Sequence, residues 1–324
     1  MPRAPIAVVL EELVAWYAAR VYGVLEGPGR VPFYCDPARV GGFAVAPAAL
    51  AAGTSAAVFQ LYVTLAMYQS RRDVDVMEIQ RAMPRPAARA MVQPRRLALA
   101  VDDARCGHLR TAEGFDAGCS VYRVPSGGAS TCADRPRAPC HVKDATAAIG
   151  RMGDMGKLPT SAWLHLRDQG DHGFDALLAR VTRAHATPAA RAAAMVAALA
   201  AFYRVGEKLA TFIVATLTVP ELAPGLTPWH PALDGHGLVI VDANLIRVID
   251  ALRPRGVKTY AARAGWWRRH AARVDLRRHR IDWPATSPRL VQQAAYWFRS
   301  RSNRDAAGLV CAGCRSPVCP YCAG

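Results

Sequence analysis

The sequence predicts a mainly α-helical protein in which strands are at most minor. Apolar residues recur at helical spacing along most of the 324 residues, and strong helix formers fill the positions between them. No repeat of solenoid length is evident. At 52% hydrophobic and 20% charged, the chain can bury a sizeable core and has room for one large domain or two modest ones.

Residues 1–26 read as an amphipathic helix, with Ile6, Val9, Leu13, Trp16 and Tyr17 near one face. Glu11 and Glu12 interrupt what would be the apolar region of a signal peptide, and no apolar run reaches the length of a bilayer span. A cytoplasmic, nucleoid-associated protein with no membrane partner is the expectation. EGPGRVPFYCDPARVGG breaks the helix with Gly and Pro, so residues 1–45 form a first segment, expected to pack with the C-terminal part. A helical stretch follows over 46–83.

Residues 84–140 change character. Pro, Gly, Ser and cysteine are scattered among apolar residues too few to hold the segment together by a core, which leaves a disordered insertion or one organised by metal. Its four cysteines favour the metal. Five short helical patterns then fill 141–217, and a Pro-rich connection leads to LVIVDANLIRVIDAL, closing a segment at 252. The last segment, 253–324, is strongly basic, carries a final helix and ends in cysteines.

A formal net charge of +16 points to a polyanionic partner, since each neutralised phosphate releases counterions. Only four basic residues are lysines: Lys143, Lys157, Lys208 and Lys258. Compositional bias toward arginine explains their rarity but not why one stands at the start of the apolar helix in FYRVGEKLATFIVATL. Arg204 to Gly206 read there as a tight turn entering a helix, and the free amides of a helix N-terminus can hold a phosphate. Lys157, in GDMGKLPTSAW, is the other candidate and reads as a structural surface residue.

This run resembles the helix-hairpin-helix of DNA glycosylases of the endonuclease III superfamily, whose turn follows the pattern Leu-Pro-Gly-Val-Gly-x-Lys-x-Ala and precedes a Val-Asp-x-x-x-x-Arg-Val segment. Val205, Gly206, Lys208 and Ala210 match the first pattern, and Val241, Asp242, Arg247 and Val248 the second. Tyr203 and Arg204 stand where the family has Pro and Gly. Upstream, LYVTLAMYQSRRDVDV is similar to the family's apolar helix and Gln-containing turn, with Gln69 in the matching place. The similarity covers 56–83 and 141–252, apart from the loop at 218–238.

The resemblance implies a helix-hairpin-helix glycosylase fold of two helical subdomains, with the cysteine-rich segment as an insertion and a metal or cluster loop at the C-terminus. It implies a monomer acting on double-stranded DNA with a damaged or modified base, contacted by Gln69, Arg204, Val205, Gly206 and Arg247. Lys208 and Asp242 are the implied catalytic pair of a bifunctional glycosylase and AP lyase. The base must be flipped out before the sugar carbon can be reached. A lysine amine can then attack that carbon and leave a Schiff base, which arginine cannot do because its guanidinium stays protonated. Asp242 would stabilise positive charge on the sugar or assist proton movement. Read singly, Lys208 is also a solvated helix-start lysine and Asp242 a helix N-cap, and a non-catalytic, metal-containing nucleic-acid-binding protein stays open.

Nine cysteines in a cytosolic chain point to metal or redox chemistry more than to disulfides. In CAGCRSPVCPYC, Cys311, Cys314, Cys319 and Cys322 lie close enough to call for a metal or cluster. Relatives of endonuclease III hold a [4Fe–4S] cluster in a C-terminal four-cysteine loop, which favours that group here and leaves zinc as the alternative. Cys106, Cys119, Cys132 and Cys140, with His108 and His141 nearby, suit zinc, a second cluster or no ligand. Cys35 reads as a packed thiol. Trp266 and Trp267 read as core residues on a basic helix whose arginines serve a DNA backbone.

Overall fold

The computed structural model describes residues 5–69, 71–124, 129–150, 152–252, 254–311 and 316–322. The chain is mainly helical, and among the described residues the strands amount to one two-residue antiparallel pair, β1 (Tyr122–Arg123) with β2 (Ser130–Thr131). α1 (Ile6–Arg20) buries Val9, Leu10, Leu13 and Tyr17 and leads into a tight turn closed by a bridge between Tyr22 and Glu26. Short helices α2 (Pro37–Val40) and α3 (Pro47–Ala51) precede α4 (Ser55–Ala66), which is buried on nearly all sides and capped by Thr54, whose hydroxyl accepts from the Ala57 amide. α5 (Asp73–Ala82) follows the Gln69 turn.

Residues 84–140 overturn the expectation of a coreless insertion. α6 (Arg85–Val92) and α7 (Pro94–Asp102) occupy its first third, and Met91, Val92 and Leu97 join the main core. Each helix carries a proline in its first turn, where the missing N–H costs no hydrogen bond. Beyond them, α8 (Ala112–Gly118) and the β pair surround a small core of Leu109, Phe115, Val121, Val142 and Leu164.

The five helical patterns become α9 (His141–Ile149), α10 (Leu158–Asp168), α11 (Phe174–Ala184), α12 (Pro188–Ala200) and α13 (Gly206–Thr218). α14 (Ala243–Leu252), α15 (Tyr260–Ala271), α16 (Pro288–Arg299) and α17 (Arg301–Ala306) complete the chain. Two large cores result. One gathers α4 and α9–α13; the other joins α1 to α14, α15 and α16. α13 is shared, giving Leu209, Ile213 and Leu217 to the first core and Ala215 to the second. Its exposed N-terminal turn therefore stands where the two bodies meet.

Candidate active site and metal centres

The turn between α12 and α13 is fastened from beneath. The Tyr203 amide donates to Ser161 Oγ at 3.0 Å, its hydroxyl donates to Asp154 Oδ2 at 2.6 Å, and Arg204 pairs with Asp154 at 3.2 Å. Val205 is buried, while Arg204, Gly206, Glu207 and Lys208 are exposed. Arg204 has φ +57°, the one non-glycine with positive φ among the described residues, and Gly206 has φ +55°. Arg204 thus holds a left-handed conformation that favours glycine, at the position where the resembling pattern has one. A Cβ at Gly206 would meet nothing within 4 Å, so the space before its backbone is open.

Lys208 lies on the first turn of α13, and among the described residues no carboxylate is within 4.0 Å of its ammonium. Asp242 is partly buried and caps α14, its Oδ1 accepting from the Leu245 amide at 2.7 Å. Burial raises its pKa; the Leu245 hydrogen bond and the Lys208 charge lower it, as does Arg289, whereas Asp73 raises it. The fold therefore returns Asp242 to within electrostatic reach of Lys208 across the long connection. Capping α14 and facing Lys208 are compatible roles for its two oxygens.

Beside Asp242 lies a polar network that the sequence does not announce. The Tyr17 hydroxyl donates to Glu26 at 2.5 Å, and Gln293 donates to both Glu26 oxygens at 3.0 and 3.1 Å. Arg289 is buried, donates to Gln292 Oε1 at 2.7 Å, and leaves its Nε without a partner among the described residues. Burial pulls its guanidinium down to about 10, against the charges of Glu26 and Asp242. Burial likewise raises the Glu26 carboxyl. Tyr296 donates to Asp73 Oδ2 at 2.6 Å, tying α16 to α5. These residues come from four distant segments, and only their packing reveals the group.

The other predicted DNA contacts are spread out. The Gln69 amide donates to the Ala66 carbonyl at 2.6 Å, holding the turn after α4. Arg247 is exposed on α14, and its charge disfavours that of Arg299, whose Nη1 donates to the Val318 carbonyl at 3.3 Å. It therefore sits toward the C-terminal cysteine loop. Trp266 and Trp267 are buried, with Trp267 Nε1 donating to the Pro288 carbonyl, while Arg268 and Arg269 are exposed.

Cys311, Cys319 and Cys322 can hold a metal ion: their sulfurs lie within 4.8 Å of one another, with Cys311 and Cys322 at 3.4 Å. Cys314 lies outside the described residues. Buried Arg304 approaches Cys319 Sγ at 3.9 Å and binds the Leu309 and Phe298 carbonyls, fixing the loop to the end of α16. Cys106, Cys119, Cys132 and Cys140 are not joined in disulfides, and all four line one cavity in the insertion. His108 also lines it, whereas His141 is engaged with Thr160 Oγ1 at 3.1 Å. Cys35 is buried in the main core, and burial pushes its thiol up to about 11.

Lys157 departs from its surface reading. It is buried, donates to the Cys119 carbonyl, and lies 5.2 Å from the Tyr203 ring centre. Lys143 is also buried and donates to the carbonyls of Arg135, Pro136 and Ala138 at 2.6, 3.0 and 2.8 Å. A compact three-donor ammonium suits both positions better than a planar guanidinium. Among the described residues no helix is long and apolar enough to cross a membrane. No protein-family model, curated protein or solved structure matches this chain.

Proposed function

We propose that the protein is a helix-hairpin-helix DNA glycosylase and AP lyase that removes a damaged or modified base through Lys208. The observation that carries this reading is the placement of an exposed lysine beside an open, left-handed turn and within electrostatic reach of a partly buried carboxylate. The open face of Gly206 admits a phosphate to the backbone amides, anchoring DNA next to Lys208. An extruded nucleotide then brings its sugar C1′ to the lysine.

The chemistry uses only this chain's residues. Lys208 gives up a proton, for which the burial-raised proton affinity of Asp242 suits that carboxylate as acceptor. The Nζ lone pair attacks C1′; the glycosidic bond breaks and the base leaves with the bonding electrons, taking up the proton that Asp242 received from Lys208 and so returning Asp242 to its ionised form. Ring opening leaves an imine between Nζ and C1′. Loss of a proton from C2′ then expels the 3′ phosphate, and water frees the lysine. The positive charge of the intermediate faces Asp242, whose ionised form stabilises it. The metal groups have no chemical step in this scheme.

Borohydride reduces such an imine to a stable amine. On duplex DNA carrying an abasic site, the wild-type chain is expected to form a covalent adduct, and Lys208→Ala and Lys208→Arg are expected to form none. An adduct of undiminished yield with Lys208→Ala removes the lysine assignment. DNA binding with no adduct from any lesion duplex favours a non-catalytic nucleic-acid-binding protein.

A further inference from the structure

The insertion cysteines come from four separate pieces of chain. Cys106 precedes the turn at Gly107–Arg110, Cys119 follows α8, Cys132 follows β2, and Cys140 precedes α9. They nevertheless face one cavity of about 30 Å³. Leu109, Phe115, Val121 and Val142 form its apolar wall.

The polar side chains at the rim are engaged elsewhere. His108 pairs with Asp134 at 3.1 Å, Asp134 also accepts from Ser120, and Arg135 donates to the Arg105 carbonyl at 2.6 Å. The thiols remain as the donor set. Among the described residues, the group with three or more ligand atoms all within 4.8 Å of one another is the C-terminal one, so no three of the insertion thiols are gathered that closely. A tetrahedral zinc site with bonds of about 2.3 Å brings its sulfurs to about 3.8 Å. A four-iron cluster spreads its thiolates, because each binds a different corner. The 3.4 Å contact between Cys311 and Cys322 suits the first arrangement, and the insertion cavity suits the second.

We propose that the two cysteine groups take different metals: a [4Fe–4S] cluster at Cys106, Cys119, Cys132 and Cys140, and one zinc ion at Cys311, Cys319 and Cys322 with a further ligand. This reverses the placement implied by the endonuclease III resemblance, and it is independent of the glycosylase reading. In the test, the full chain is produced with iron and zinc both supplied, purified anaerobically, and assayed for iron, acid-labile sulfide and zinc. About four iron and four sulfide per chain, with about one zinc, are expected. Cys119→Ser and Cys132→Ser should lose iron and sulfide while retaining zinc, and Cys319→Ser should do the reverse. Zinc without sulfide, or iron that leaves with Cys319 rather than Cys119, overturns the assignment. If a variant does not fold, X-ray absorption on the wild-type chain decides: iron–iron scattering together with sulfur-ligated zinc is required, and the absence of either overturns it.

Discussion

In the proposed chemistry Lys208 must lose a proton before it attacks, and Asp242 is the carboxylate whose proton affinity burial raises and the Lys208 charge lowers. Asp242→Asn separates capping from proton transfer, because an asparagine oxygen can still accept from the Leu245 amide. Its expected cost in strand cleavage is about 10²- to 10⁴-fold, with little change in unfolding midpoint. The raised pKa of Asp242 places the acidic limb of wild-type cleavage above the ordinary aspartate range, and the variant should lose that limb. The sign for stability is opposite. A folded state that holds this proton more tightly than the unfolded chain gains at low pH, and the gain is lost as pH rises through the raised value. Asp242→Asn should remove that pH dependence in denaturant melts. At the turn into α13, Arg204→Gly relieves a left-handed arginine at the cost of its exposed pairing with Asp154, and removes the positive charge of a proposed DNA contact. The expected result is unchanged or higher thermal stability, weaker DNA binding at all sequences, and a salt slope shallower by about one.

At the scale of elements, α9 to α14 were legible because their apolar residues keep a helical period between short polar breaks. α6 and α7 were hidden by prolines that read as breakers but occupy first-turn positions. The turn into α13 was legible from Gly206 and its neighbours, yet the left-handed Arg204 was not, since nothing local marks an arginine for that conformation. Lys157 was misread because an isolated lysine defaults to the surface, and its buried carbonyl partner lies 38 residues away. It links the hairpin to the insertion through Tyr203 and Cys119. Lys143 does comparable work within the insertion, so Lys143→Met should cost on the order of 2 kcal/mol in chemical denaturation by stranding three carbonyls.

Across the whole molecule, α13 joins two cores and presents its N-terminal turn at their junction, while the network of Glu26, Arg289, Asp73 and Tyr296 brings polar groups from both bodies toward Asp242. That network escaped sequence reading because its members are ordinary charged or aromatic residues until the fold gathers them. A net charge of +16 should make duplex binding strongly salt-dependent. If six phosphates are neutralised, affinity should fall by about 10³ between 50 and 200 mM salt, measurable by anisotropy on a labelled duplex. The central claim is that a covalent bond forms at one lysine. Its most direct test is to reduce the reaction with borohydride on abasic-site DNA, digest the adduct and locate the modified residue by mass spectrometry. The account predicts the sugar remnant on Lys208; a remnant on Lys157, Lys258 or the N-terminal amine, with Lys208 unmodified, would contradict it.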